Sequence, residues 1–289
     1  MKTQLQIKSS VVVWSLFIMI VIFIALALCA ALSPAQNIIV KSILSQFSLS
    51  AERTPPAFFS FLLLLICSIW LGVIALQEHQ IGSRWYRHWA FLAMMFLLMS
   101  YDEAAELHEK LIEPVRELLG VDGFFYYAWV IPGIVVAAII FVAYLPFLLH
   151  LPRVFAGLFL LSGAIYVGGA IGLEMIGGKY LDEYGRDLIY RLTATLEEAF
   201  EMFGAWLFIY SLMKYLTRQA GAFGLKVELT EGATVPVRLK LGTARCRAWL
   251  GSPDARRLIA QPSFRRGRGG HPPASNGSSA VPWLRCQRD

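Results

Sequence analysis

The chain has 289 residues, 57% of them hydrophobic and only 16% charged, with a mean hydropathy of +0.57. Soluble domains carry about a quarter charged residues, so this balance excludes an ordinary soluble domain and points into lipid. The formal charge of +6 is unevenly spread: residues 1–216 carry 13 Lys and Arg against 16 Asp and Glu, a net of −3, whereas residues 217–289 carry 13 against 4, a net of +9.

Six apolar stretches are long enough to cross a hydrocarbon core of about 30 Å. They run near 11–32, 57–76, 88–107, 126–149, 154–177 and 193–215. Backbone polar groups in lipid must satisfy one another, so runs of this length without alternating polar residues become helices rather than barrel strands. The expected fold is therefore all-α: a polytopic transmembrane bundle of about six spans over residues 1–220, then a basic and mostly disordered tail over 221–289.

The first run follows Met1, Lys2 and Lys8, and Ser33-Pro34-Ala35 resembles a cleavage site. Its 22 apolar residues exceed the core of a signal peptide, which favours an uncleaved span. The Lys and Arg of the connections divide seven against seven between the two sides, so they leave the orientation open. The basic 2–3 and 4–5 connections and the basic tail lean toward a cytoplasmic N-terminus in an inner or plasma membrane. Trp85, Tyr86 and Trp89 are expected at one interface, with Tyr101, Tyr126, Tyr127, Trp129, Tyr180 and Tyr190 at the other. Residues 114–119, opened by Pro114 and closed by Gly120, read as a short surface helix.

The acidic residues are the informative feature. The third run ends in Asp102, Glu103 and Glu106, with His108 just after; the fifth carries Glu174 amid glycines; the sixth opens with Glu197, Glu198 and Glu201. In an alternating topology all three sets reach the same membrane face at similar depth. At about 100° per residue, Asp102, Glu106, Glu109 and Glu113 form one stripe, and His108 points away from it. Ionisable groups within spans are expensive and usually face a cavity or a partner. Gly168-x-x-x-Gly172 reads as a close-packing motif, and Gly177-Gly178 as a loosened helix end beside Glu174.

Carboxylates with one imidazole suit a hard divalent cation such as Mg²⁺, Mn²⁺ or Ca²⁺, with iron or zinc as alternatives. Asp102, Glu106, Glu174 and Glu201 are the candidate ligands, and Glu103, His108 and Glu198 the candidate acid/base groups. No Glu-x-x-His pair supports a di-metal bundle site, and no phosphate-binding loop, dinucleotide fingerprint or nucleophile elbow is present. The four cysteines, Cys29, Cys67, Cys246 and Cys286, have no CxxC spacing.

Three functions stay open. The first is a metal-dependent membrane enzyme acting on a lipid or lipid-linked substrate. The second is a cation- or proton-coupled transporter. The third is a non-catalytic partner of another membrane protein. Membrane lipid is the common partner, and nucleic acid the weakest candidate.

Overall fold

The computed structural model describes residues 4–7, 9–32, 42, 45–49, 54–220 and 225–228. The residues around Ser33-Pro34-Ala35, and nearly all of the expected disordered tail, lie outside the described residues.

The architecture is helical. In chain order come β1 (Gln4–Ile7), α1 (Ser9–Leu32), α2 (Pro55–Gln80), α3 (Tyr86–Ala105), α4 (Ile112–Leu119), α5 (Val130–His150), α6 (Arg153–Val167), a π-helical segment (Gly168–Leu173), α7 (Glu174–Tyr184), α8 (Leu188–Ala220) and β2 (Leu225–Glu228). The two short strands pair antiparallel, Gln4 with Glu228 and Ile7 with Leu225, and so tie the two ends of the bundle together.

Among the described residues, four helical stretches are long and apolar enough to cross a membrane: Ser10–Leu32, Pro55–Gln80, Val130–His150 and the unbroken Arg153–Tyr184. That composition is compatible with a membrane location. The other two expected spans are also helices, α3 with 20 residues and α8 with 33, but these carry the acidic residues and fall short on composition.

Local chemistry sets the helix ends. Thr54 opens α2, its hydroxyl accepting the Ala57 N–H at 3.4 Å, with Pro55 and Pro56 in the first turn. The short helix α4 begins two residues before the expected 114 and ends at Gly120, whose φ of +61° is the left-handed cap that glycine adopts freely. The third apolar run stops earlier than its hydropathy suggests. α3 ends at Ala105 because Glu106 turns left-handed (φ +53°), and the Lys110 ammonium caps the Ala105 carbonyl at 2.8 Å.

α8 is the central helix, packed against α1, α2, α6 and the π segment. Lipid tails are as apolar as any core, so helices in a bilayer associate through close approach rather than hydrophobic expulsion. Gly204 of α8 is one such place: a Cβ there would lie 2.7 Å from the Tyr166 backbone nitrogen. Gly169 is the second, where a Cβ would lie 2.9 Å from the Glu197 carbonyl oxygen. The expected motif is displaced by one residue, since Gly168 and Gly172 face open space.

α5 stands apart along its length and is held at its ends. Near its C-terminus the Tyr144 hydroxyl donates to the His88 carbonyl at 2.9 Å, and Phe147 stacks on His88 and meets Trp85 and Trp89 edge-on or tilted. Trp89, expected at an interface, is instead 1% exposed among Phe147, Phe159 and Tyr215, because the bundle is thick enough there to enclose an indole.

Candidate functional site

The space between α5 and the rest of the bundle is a cavity of about 1410 Å³. Its long wall is apolar, with Leu92 and Phe96 from α3, Val136 and Phe141 from α5, and Phe159 from α6. Its other end is acidic. Asp102, Glu103, Glu106, His108, Glu174, Glu198 and Glu201 all line it, so the structure brings the seven candidate residues to one space. Glu109 and Glu197 join them, which makes eight carboxylates; among the described lining residues there is no Lys or Arg.

The break after α3 builds the centre of this end. A regular helix would carry His108 away from Asp102. The left-handed turn at Glu106 folds the chain back instead, so that the Asp102 carboxylate accepts the His108 backbone N–H on Oδ1 at 2.9 Å and its Nδ1–H on Oδ2 at 2.8 Å. The expected stripe of Asp102, Glu106, Glu109 and Glu113 is broken for the same reason. Burial of the imidazole works against its charge. The hydrogen bond and negative charge of Asp102, with Glu174 and Glu109 behind them, outweigh that penalty and push the His108 pKa up to about 9. At neutral pH His108 is an imidazolium.

A second device positions Glu174, which is 9% exposed and begins α7 directly after the π segment. The π turns widen the helix within one run of glycines, a distortion that clusters at functional sites. The loosening expected at Gly177-Gly178 lies here instead, and the helix runs regularly through those two residues to Tyr184. Trp129, at the head of α5, donates its Nε1–H to Glu174 Oε1 at 2.8 Å, and its ring packs on His108 with centroids 4.9 Å apart. Tyr127 lies against Gly178 and shares a 2.8 Å hydrogen bond with the Tyr190 hydroxyl. Sequence reasoning places Trp129, Tyr127 and Tyr190 in an interfacial girdle. What separates them from girdle residues is their partners: Trp129 donates to Glu174, Tyr127 lies within electrostatic range of Glu174 and Glu197, and Tyr190 bonds Tyr127.

Glu198 lies within electrostatic range of Glu103, Glu174 and His108, and Glu201 of Glu103, Glu197 and Glu198. Asp102 is committed to His108 through both oxygens and Glu174 to Trp129 through one. As the side chains stand, no group of three or more His, Cys, Asp or Glu among the described residues is arranged to hold a metal ion.

Residues 15–216, which take in every residue lining the cavity, match the family described as a domain of unknown function, DUF8692. The chain belongs to this family. No curated protein and no solved structure matches it. Within the DUF8692 domain, then, chemistry has to be read from the cavity itself: an imidazolium held by one carboxylate, further carboxylates within reach of its charge, and a long apolar trough leading to them.

Proposed function

We propose that this DUF8692 protein is a multi-pass membrane enzyme acting on a lipid or lipid-linked substrate, whose chain lies in the trough and whose reacting group meets the acidic end. The carrying observation is the continuity of the two regions in one cavity, apolar from Phe159 to Met99 and polar from Asp102 to His108. All six long helices cross in this reading. α8 is packed among three helices that are themselves long and apolar or run beside one, which supports its lying at membrane depth. The strand pair of Gln4–Ile7 with Leu225–Glu228 requires both ends of the bundle on one side, as an even number of crossings provides. The basic connections at Arg84, Arg87 and Arg153 support a cytoplasmic position for that side, in an inner or plasma membrane.

His108, charged and oriented by Asp102, is the general acid that protonates the leaving group. Glu198, with Glu103 beside it, takes the proton of the attacking water. With no Lys or Arg among the described lining residues, a phosphate would find one cationic partner against eight carboxylates. A carbonyl centre, neutral until the transition state, fits this field better. Asp102, Glu106, Glu174 and Glu201 remain the candidate ligands of a divalent ion at this end, although their hydrogen bonds favour positioning roles for Asp102 and Glu174.

The test is lipid analysis of protein purified under mild detergent. Wild type and H108A are incubated with a membrane lipid extract, and bound and released lipids are identified by mass spectrometry. A bound chain amphiphile in both, converted by wild type alone, is the expected result. Identical profiles with no retained lipid would remove the reading. Ion flux in proteoliposomes, sensitive to E174Q, would replace it with the transporter. Stable co-purification of one membrane protein, without lipid turnover, would replace it with the assembly partner.

A further inference from the structure

Ser60, on α2, is only 6% exposed, and its hydroxyl has no hydrogen-bond partner among the described residues. Buried serines in such bundles normally bond a nearby carbonyl, as Ser68 does to Ala93 and Ser100 to Phe61 on the same helix pair. Ser60 faces instead a small pocket behind the main cavity, shared with Glu103 of α3, Tyr166 of α6 and Glu201 of α8. The Tyr166 hydroxyl interacts with Glu201. The pocket has no room for a water molecule.

Four helices therefore direct four oxygen-bearing side chains into one dry space, and among the described residues no cationic side chain borders it. Two carboxylates at this depth carry a heavy desolvation cost unless their charge is cancelled in place. The orphaned hydroxyl adds an unused oxygen on the side away from the main cavity. We propose that Ser60, Glu103, Tyr166 and Glu201 bind one divalent cation of calcium's size.

The donor count selects the ion. Two bidentate carboxylates and two hydroxyls give six oxygens and a charge of −2, which a divalent ion neutralises. Ca²⁺ accepts bidentate carboxylates at about 2.3–2.6 Å without retained water, whereas Mg²⁺ holds several waters at about 2.0–2.1 Å. A space that excludes a water molecule of about 1.4 Å radius can still seat a bare ion, since ligand oxygens at those distances leave a gap of about 1 Å radius. This site rests on the proposed function for the membrane depth of its helices and shares Glu103 and Glu201 with the acidic end of the main cavity, but its readout is Ca²⁺ binding rather than turnover. Its loss or gain is therefore read independently of lipid turnover.

The experiment uses full-length protein in detergent, stripped with EDTA and held in potassium chloride with excess Mg²⁺. Equilibrium binding of radiolabelled Ca²⁺ and the thermal midpoint with and without Ca²⁺ are measured for wild type, S60A, E201Q and E174Q. One Ca²⁺ per wild-type chain is expected, with a midpoint raised by Ca²⁺. S60A should bind about 10-fold more weakly and E201Q should not bind. If E201Q does not fold, S60A decides the matter, because alanine fits an apolar helix at this position. Absence of wild-type binding would overturn the site. So would binding that survives S60A and E201Q but disappears in E174Q, since that ion would sit at the mouth of the main cavity. Ca²⁺ binding without lipid turnover would leave this site standing and the enzyme reading fallen.

Discussion

The Nδ1–H of His108 points at Asp102 Oδ2 across 2.8 Å, over the break that ends α3 at Ala105. The folded pKa of about 9 lies above the ordinary imidazole value of 6.5. A pKa raised on folding contributes stability that is fully present below the unfolded value and lost as pH rises through the folded one. Thermal midpoints in detergent should therefore hold steady up to about pH 6.5 and fall as pH passes from there through about 9. D102N should erase that step and move the His108 titration downward, as read by NMR of labelled imidazole. An unchanged titration in D102N would detach the two residues functionally.

Gly204 tests the packing. Alanine there would put its Cβ 2.7 Å from the Tyr166 nitrogen and 2.9 Å from its Cα, both backbone atoms that cannot swing aside. G204A should cost about 1–3 kcal/mol and lower the yield of folded protein in detergent. G163A, where a Cβ meets nothing within 4 Å, should be neutral in the same unfolding assay.

Gly163 also offers a way to fill the trough. It lines the cavity and has open space around its Cα. G163W should keep the thermal midpoint near that of wild type and abolish the lipid retention that the proposed function expects by mass spectrometry. Full lipid retention in a folded G163W protein would mean that the occupant lies elsewhere.

Topology is checked by single cysteines at Arg84, Arg153, Lys110 and Arg186, introduced after the native cysteines are replaced. In sealed vesicles an impermeant maleimide should label 84 and 153 from one face, and 110 and 186 from the other. Labelling of all four from the same face would reduce the number of crossings.

How much of this is legible in the sequence depends on whether a feature is periodic. Apolar runs and the levels of their carboxylates are read by counting, and Asp102, Glu174 and Glu201 do line one cavity. Three departures from that regularity are not countable. Glu106 turns left-handed although nothing in Ala105-Glu106-Leu107 demands it. The six residues Gly168–Leu173 take the wider π turn, which moves the close contact to Gly169. Trp129 sits at a span end, where an indole reads as an interfacial anchor, and only tertiary packing turns it to Glu174. Acidic side chains also lower the hydropathy of α3 and α8, because hydropathy counts a charge equally whichever way it faces, and on composition neither helix ranks with the four candidate spans.

The two-point attachment of α5 has a dimensional consequence. From Trp129 to Phe147 is 18 residues, about 27 Å at 1.5 Å per residue, close to the full hydrocarbon thickness of about 30 Å. At the far end Phe147 lines the cavity, backed by His88 stacked on it and Trp89 edge-on to it. For the lipid substrate proposed above, these rings would face a tail entering from the acidic end, and the span between Trp129 and Phe147 would set the tail length whose head group still reaches His108.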